Sequence, residues 1–130
     1  NEVTTVNYDG PTENIFVLAD PEQMIQVFNN LLKNALQAIP GQQKGEIRIS
    51  LSTTESAITI AVSDNGKGID PELHTKVFVP SFTTKNTGMG LGLAISKNII
   101  EQAGGEIWFE SVPNIGTTFY IRLKKTGNTL

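Results

Sequence analysis

Apolar and polar residues alternate along the chain in a way that predicts a mixture of strands and helices. The apolar run at 15–19 predicts a strand. Asp20 and Pro21 follow it and are typical of a helix start, because aspartate caps the first turn and proline fits its first position. This helix is predicted to run to about Ile39, where Pro40 stops it. Its apolar residues recur at helical spacing: Met24, Val27, Phe28, Leu31, Leu32, Ala35, Ala38 and Ile39.

The rest of the chain predicts four more strands and a second helix. Residues 46–53 and 57–63 alternate polar with apolar positions and favour an antiparallel hairpin, although the pattern leaves a helix open. Residues 91–103 predict a helix, and residues 106–111 and 117–123 predict two further strands. Strands and helices do not alternate regularly, so the pattern favours a sheet with helices layered on one face over a doubly wound parallel sheet.

Composition narrows the possible chemistry. A chain of 130 residues has the size of one folded domain. It has no cysteine and a single histidine, which excludes thiol nucleophiles, disulfides, zinc–thiolate sites and multi-histidine metal clusters. The net charge of -3 argues against nucleic acid as a partner. No apolar run approaches the roughly 20 residues that span a bilayer.

Two polar clusters interrupt the apolar framework. Asn30 and Asn34 lie one helical turn apart on the flank of the first helix, where amides can bind Mg²⁺ or phosphate or simply form a polar helix edge. Asp64 follows an apolar strand, and a carboxylate there can accept a hydrogen bond from an exocyclic amine such as that of adenine. Gly66 and Gly68 let the backbone approach a flat ring, but a plain Asx turn is an equal alternative.

Two further segments carry groups that suit phosphate. Residues 65–90 are rich in Gly, Pro, Thr and Asn, and such a long irregular segment is often functional or mobile. Within it, residues 78–85 combine two aromatic rings, which can anchor a loop, with hydroxyls and a lysine, although an ordinary surface loop explains them as well. Residues 88–92 place three glycines before a helix, where free N–H groups bind anions. Their spacing matches neither a dinucleotide fingerprint nor a Walker loop, so a hinge stays open.

The order of these segments is more specific than any one of them. Asn-x-x-x-Asn on a helix, D-x-G-x-G-I after a strand, F-x-x-x-F-T-T-K, and G-x-G-L-G-L entering a helix together resemble the ATP-binding catalytic domain of bacterial sensor histidine kinases, within the GHKL superfamily. The resemblance runs from Asp20 to about Leu123, and residues 116–119 are similar to the family's closing Gly-Thr element. The run 83–85 resembles the nitrogen-regulation-type branch most.

The resemblance implies a fold and a function. The fold is the Bergerat fold, an α+β two-layer α/β sandwich with a mixed, mostly antiparallel sheet of about five strands and about three helices on one face. The function is binding of Mg²⁺-ATP and transfer of its γ-phosphoryl group to a histidine of a separate dimerisation domain. We expect one domain over residues 1–130, with an ATP lid at about 69–90 and with no dimerisation or phosphoacceptor domain.

The family's motifs also imply roles for single residues. Asn34 is the implied Mg²⁺ ligand, and Asn30 and Lys85 are the implied catalytic residues beside the phosphates. Asp64 is implied to bind the adenine amine directly and through a water that Thr117 supports. The implied ATP-binding residues are Asn30, Lys33, Asn34, Asp64, Gly66, Gly68, Ile69, Thr83, Thr84, Lys85, Gly88, Gly90, Leu91, Gly92 and Thr117.

Asn30 and the single histidine help to separate the chemistries of this superfamily. An amide cannot act as a general base, so efficient ATP hydrolysis is disfavoured. His74 is expected to be an exposed loop residue, which would leave the phosphoacceptor outside this chain. A catalytically silent nucleotide-sensing module and a serine kinase of the anti-sigma-factor type stay open as alternatives.

The expected partners follow from the resemblance. They are ATP, the protein's own phosphoacceptor domain and a downstream response regulator, with no nucleic acid. We expect the isolated domain to be monomeric and the full-length protein to be a homodimer. The domain is expected to be cytoplasmic, whether or not the parent protein is anchored in a membrane.

Overall fold

The computed structural model of the chain describes residues 4–41, 43–80 and 89–126, and for 89–91 it describes the backbone only. Strands and helices follow one another in the order β1 (Thr4–Asp9), β2 (Phe16–Val17), α1 (Pro21–Ala38), β3 (Gly45–Thr53), β4 (Ala57–Asp64), a 3₁₀ helix (Pro71–Lys76), α2 (Met89–Gln102), β5 (Glu106–Val112) and β6 (Gly116–Thr126).

Helix α1 begins where the sequence predicts. The Asp20 carboxylate accepts hydrogen bonds from the backbone N–H groups of Glu22, at 2.9 Å, and Gln23, at 3.4 Å. These bonds satisfy N–H groups that have no partner within the helix. Along the helix, Val27, Leu31 and Ala35 are buried, which confirms the predicted apolar stripe.

The strands form a mixed and mostly antiparallel sheet. Its order is β1-β3-β4-β6-β2, and β5 also pairs with β6. Only the pairing of β1 with β3 is parallel among the pairings described. Strands β3 and β4 form the predicted antiparallel hairpin. The two α-helices pack against each other, α1 also contacts β4, and α2 contacts β5, so the predicted α+β sandwich is confirmed.

The buried face of the sheet ends at a polar cross-strand pair, Asp64 and Thr117. Side chains alternate between the two faces of a strand, so every second residue of β4 and β6 contributes to one hydrophobic face. Asp64 is opposite Thr117 in the register, one pair beyond the end of that face. The cross-strand pairs that precede this polar pair are Ile58 with Leu123, Ile60 with Ile121, and Val62 with Phe119.

Several elements differ from the prediction in existence or in extent. Strand β1 was not predicted from the sequence, because it is an edge strand whose two apolar residues, Val6 and Tyr8, are each 56% exposed. The strand predicted at 15–19 shortens to Phe16–Val17, the two residues that pair with β6. Helix α2 begins at Met89, two residues before its predicted start.

Candidate functional site

A cavity of about 400 Å³ lies at the end of the sheet, where β4 and β6 meet the C-terminal part of α1. The polar pair Asp64 and Thr117 forms part of its wall. The lining residues are Asn34, Gln37, Ala38, Asp64, Lys67, Gly68, Ile69, Asp70, Leu73, Val77, Pro113, Asn114, Thr117 and Phe119.

The Asp64 carboxylate is held by two backbone N–H groups. Its Oδ1 accepts hydrogen bonds from Gly66 N, at 2.8 Å, and from Thr117 N, at 3.3 Å. Burial raises the pKa of this carboxyl above its ordinary value, while the bonds from Gly66 and Thr117 act in the opposite direction. Both bonds use Oδ1, and Oδ2 has no hydrogen-bond partner within the described ranges. One oxygen of this half-buried carboxylate is therefore available to a ligand in the cavity.

The two glycines after Asp64 are needed for close packing of the loop. A Cβ atom on Gly66 would lie 2.4 Å from the carbonyl oxygen of Ala38, the last residue of α1. A Cβ atom on Gly68 would lie 2.4 Å from the carbonyl oxygen of Val112, and Gly68 has a φ of +74°, which other residues rarely adopt. Gly68 lines the cavity, whereas Gly66 packs behind it against the helix end.

The two asparagines of α1 have different surroundings. Asn34 lines the cavity and is 7% exposed, and its Nδ2 is buried with no hydrogen-bond partner in the part of the chain that is described. Asn30 instead donates from Nδ2 to Gly92 O, at 3.2 Å, and to Ser96 Oγ, at 3.3 Å, and so ties α1 to α2. An unpartnered buried amide N–H at a cavity wall fits a hydrogen-bond acceptor on a ligand, since buried polar groups are normally hydrogen-bonded.

The segment after the second glycine is docked onto β5. Ile69 N donates to Ser111 Oγ at 2.8 Å, and Ser111 Oγ also lies 2.8 Å from Thr117 Oγ1. No sequence motif marks Ser111 as part of the site. The only signal available was its position in β5, which the strand pairing places directly opposite Thr117.

His74 is not an exposed loop residue, so that expectation was wrong. It lies in the 3₁₀ helix, is half-buried, and its Nε2 is 3.0 Å from the Ile69 carbonyl oxygen. Its ring meets the Phe109 ring edge-on, with the centroids 5.0 Å apart. The aromatic ring of Phe109 explains the difference, because it gives the imidazole an apolar surface to pack on.

Phe78 anchors the same segment from its other end. Its ring meets the rings of Phe109 and Phe119 edge-on, with centroids 6.0 Å and 6.2 Å away. The ammonium of Lys97 on α2 lies 5.6 Å from the Phe78 ring centroid, within reach of a cation–π interaction. Residues 69–78 are therefore fixed to the sheet at both ends.

The structure brings together some of the implied site residues and separates others. Those that line the cavity are Asn34, Asp64, Gly68, Ile69 and Thr117. Those described but not lining it are Asn30, Lys33, which is exposed on α1, Gly66 and Gly92. Gly90 and Leu91 lie in the first turn of α2, with only their backbone described. Those outside the described residues are Thr83, Thr84, Lys85 and Gly88.

The fold and this site agree with one family of proteins. Residues 19–127 match the family described as "Histidine kinase-, DNA gyrase B-, and HSP90-like ATPase". The match extends over most of the chain, and the chain belongs to this family. The implied family membership is thereby confirmed.

Several sensor kinases are similar in sequence. The C4-dicarboxylate transport sensor protein DctB of Rhizobium meliloti (strain 1021) is 41% identical over 120 residues, which cover 92% of this chain and 19% of that protein. The sensor histidine kinase ZraS of Escherichia coli (strain K12) is 44% identical over 107 residues, which cover 82% of this chain and 23% of that protein. The chain spans about a fifth of the length of these relatives.

Solved structures show the same fold. The nucleotide-free catalytic domain of the histidine kinase ThkA superposes with a TM-score of 0.81 at 36% identity, covering 94% of this chain and 80% of that one. The mycobacterial sensor histidine kinase MprB superposes with a TM-score of 0.78 at 25% identity, covering 92% of this chain and 82% of that one. Both are histidine kinases, as the sequence motifs led us to expect.

The raised pKa of Asp64 predicts that this residue lowers stability at neutral pH. The folded state holds the proton more tightly than the unfolded chain, so stability falls as the pH rises through the folded-state pKa. Asp64→Asn keeps an oxygen that accepts from Gly66 and Thr117 but carries no charge. We expect this variant to be at least as stable as the wild type at neutral pH, in urea unfolding, and to lose that advantage below the ordinary pKa of aspartate.

Asp70→Asn is the matched control, since Asp70 is an exposed acid on the same loop. It should change stability little at either pH. An Asp64→Asn variant that is clearly less stable than the wild type at neutral pH would contradict the assignment of a half-buried, charged carboxylate that loses water on folding.

Proposed function

We propose that this chain is the ATP-binding catalytic domain of a two-component sensor histidine kinase. It binds Mg²⁺-ATP and transfers the γ-phosphoryl group to a histidine on a dimerisation domain elsewhere in the parent protein, for relay to a response regulator. Family membership supports the class of reaction. The observation that carries the proposal is the half-buried Asp64 carboxylate in the cavity wall beside Thr117, whose Oδ2 has no hydrogen-bond partner among the described residues.

The Asp64 end of the cavity suits an adenine ring. A carboxylate oxygen only accepts hydrogen bonds when ionised, so Oδ2 is matched to the exocyclic amine of adenine. Ile69, Leu73 and Phe119 supply apolar surface for the faces of the ring. Thr117 supports a water at the same edge.

The Asn34 end of the cavity suits the phosphates and their metal ion. An amide oxygen is a hard ligand, and Mg²⁺ commonly takes one or two protein oxygens together with phosphate oxygens and water. Asn34, buried and facing the cavity, fits this role. The metal ion, when bound, neutralises charge on the phosphates. Lys33, Lys85 and the glycines at 88, 90 and 92 remain our predicted phosphate contacts, and Asn30 positions the phosphates from beside α2.

Transfer to a histidine fits the side chains better than hydrolysis does. The histidine ring nitrogen forms a bond to the γ-phosphorus as the bond from phosphorus to the ADP oxygen breaks, a step that depends mainly on positioning and charge stabilisation. Asn30 is an amide and cannot activate water as a general base. His74 uses Nε2 at Ile69 O and packs on Phe109, so it is poorly placed to accept a phosphoryl group itself.

The proposal also includes the branch of the kinase family, the extent of the domain, its oligomeric state and its location in the cell. The Thr83-Thr84-Lys85 run supports a kinase of the nitrogen-regulation-type branch. We expect residues 1–130 to act as one domain with an ATP lid at about 69–90, monomeric alone, and to reside in the cytoplasm as part of a homodimeric parent protein. Among the described residues, no helix is long and apolar enough to cross a membrane.

The two ends of the cavity should respond differently to magnesium. Asp64→Asn should weaken ATP binding about tenfold or more both with Mg²⁺ and with a chelator, because a charge-assisted hydrogen bond to the ring is lost in both cases. Asn34→Ala should weaken binding chiefly when Mg²⁺ is present. Isothermal calorimetry of each variant measures both effects.

Asn29→Ala is the matched control, since Asn29 is an exposed asparagine on the same helix. Its ATP affinity should equal that of the wild type in both conditions. An equal loss for Asn34→Ala with and without Mg²⁺ would remove Asn34 from the metal site, and an unchanged affinity for Asp64→Asn would remove Asp64 from the adenine site.

Phosphoryl transfer can be tested by mixing the chain with the dimerisation domain of its parent protein and γ-labelled ATP. We expect the label on that domain as an acid-labile, base-stable phosphohistidine, and we expect none when Asp64→Asn replaces the wild type at limiting ATP. ATP binding without any transfer to the intact parent protein would instead support the nucleotide-sensing alternative. Acid-stable label on a serine would support the serine kinase.

A further inference from the structure

Behind Thr117, on the side away from Asp64, lies a serine that does not touch the cavity. The strand pairings place Asp64, Thr117 and Ser111 side by side across β4, β6 and β5. Ser111 is half-buried and does not line the cavity. Its hydroxyl nevertheless contacts the hydroxyl of Thr117, which does. Ser111 is thus in a position to act on a ligand through Thr117.

The partners of Ser111 Oγ determine where each proton lies. A serine hydroxyl donates one proton and accepts through two lone pairs. Ser111 Oγ lies 2.8 Å from Ile69 N, which can only donate, and 3.3 Å from Gly116 O, which can only accept. These two bonds use one lone pair and the proton. Either hydroxyl of the 2.8 Å contact between Ser111 Oγ and Thr117 Oγ1 can be the donor. The arrangement that satisfies all three contacts of Ser111 is the one in which Ser111 donates to Gly116 O and the Thr117 hydroxyl donates to Ser111.

This direction leaves Thr117 Oγ1 as an acceptor toward the cavity. Asp64 Oδ2, on the neighbouring strand, is an acceptor as well. It is free to accept from a ligand, because the hydrogen bonds from Gly66 N and Thr117 N both fall on Oδ1. The polar edge of the cavity therefore presents acceptors side by side. Where these acceptors face the 6-position of a purine, they accept hydrogen bonds from the two N–H bonds of a 6-amino group and repel the oxygen of a 6-oxo group.

We propose that Ser111 is a positioning residue that makes the site select 6-amino over 6-oxo purine nucleotides, by fixing the direction of the Thr117 hydroxyl. The inference rests on the proposed function, since it requires that a purine nucleotide occupies the cavity. Without Ser111, the Thr117 hydroxyl is free to rotate and to donate into the cavity, and the selectivity of that edge weakens.

Selectivity can be measured by calorimetry with ATP and inosine triphosphate. Their bases carry a 6-amino or a 6-oxo group, and N1 beside it accepts a hydrogen bond in adenine and donates one in inosine. We expect the wild type to prefer ATP. In Ser111→Ala the ratio of the two dissociation constants should fall about fivefold to tenfold, the size of one hydrogen bond at the binding edge. Ser111→Thr keeps the hydroxyl and should restore the wild-type ratio.

Ser63→Ala is the matched control. Ser63 Oγ lies 2.7 Å from Thr118 Oγ1, in a pair of hydroxyls between β4 and β6 that resembles the Ser111–Thr117 pair but lies on the opposite face of the sheet. Loss of the Ser63 hydroxyl should leave the ratio of the dissociation constants for the two nucleotides unchanged. A second test uses Thr117→Val, which has no hydroxyl to direct. Adding Ser111→Ala to this variant should change the ratio no further.

The possible outcomes separate this inference from the proposed function. A wild type that prefers ATP, together with a Ser111→Ala variant that is folded and keeps the same ratio, would overturn the role of Ser111 alone. An equal change in Ser63→Ala would do the same, because it would make the effect a general one on the sheet. A wild type that binds neither nucleotide, or both equally, would overturn the adenine site and this inference with it.

Discussion

The pairing of β4 with β6 places a carboxylate at the end of a hydrophobic face, and the rest of the site depends on how that charge is accommodated. A buried carboxylate is unfavourable unless hydrogen bonds compensate for the water it loses. Gly66 N and Thr117 N provide that compensation at one oxygen of Asp64. The other oxygen then stays available to a ligand, so the interaction that stabilises the charge also orients it.

The need to bring Gly66 N to the Asp64 carboxylate also explains the course of the loop after β4. Gly66 must pass close to the end of α1, and Gly68 must pass close to the end of β5, for the chain to turn back across the cavity. Ile69 is then held through its N–H by Ser111 and through its carbonyl by His74. The wall of the cavity is thus built from three separate parts of the chain, and β5 supports it without contributing a lining residue.

Much of the framework could be predicted from the sequence, because local signals determine it. The cap at Asp20 and the apolar stripe of α1 are properties of neighbouring residues, and so is the alternation of β3 and β4. The positions of Asn34, Asp64 and Thr117 in one cavity could be anticipated only from the order of the motifs. No local pattern in the sequence indicates that Ala38 and Thr117 lie close to the residues after β4.

The features that the sequence did not predict depend on contacts between residues that are far apart in the chain. Strand β1 has few apolar residues because it lies at an edge, and only its pairing with β3 makes it a strand. His74 becomes half-buried because Phe109, far along the chain, lies beside it. Ser111 matters because it is opposite Thr117 in the register. Asn30 bonds to α2 in the structure, a contact that helical spacing alone does not reveal.

The most direct test of this account is a crystal structure of the chain with Mg²⁺ and a non-hydrolysable ATP analogue. The account predicts that the 6-amino group of the adenine lies within hydrogen-bond distance of Asp64 Oδ2, with Oδ1 still bound to the N–H groups of Gly66 and Thr117. It also predicts Asn34 among the Mg²⁺ ligands. An adenine bound away from Asp64, or a carboxylate that has turned to bind the ligand through Oδ1, would contradict it.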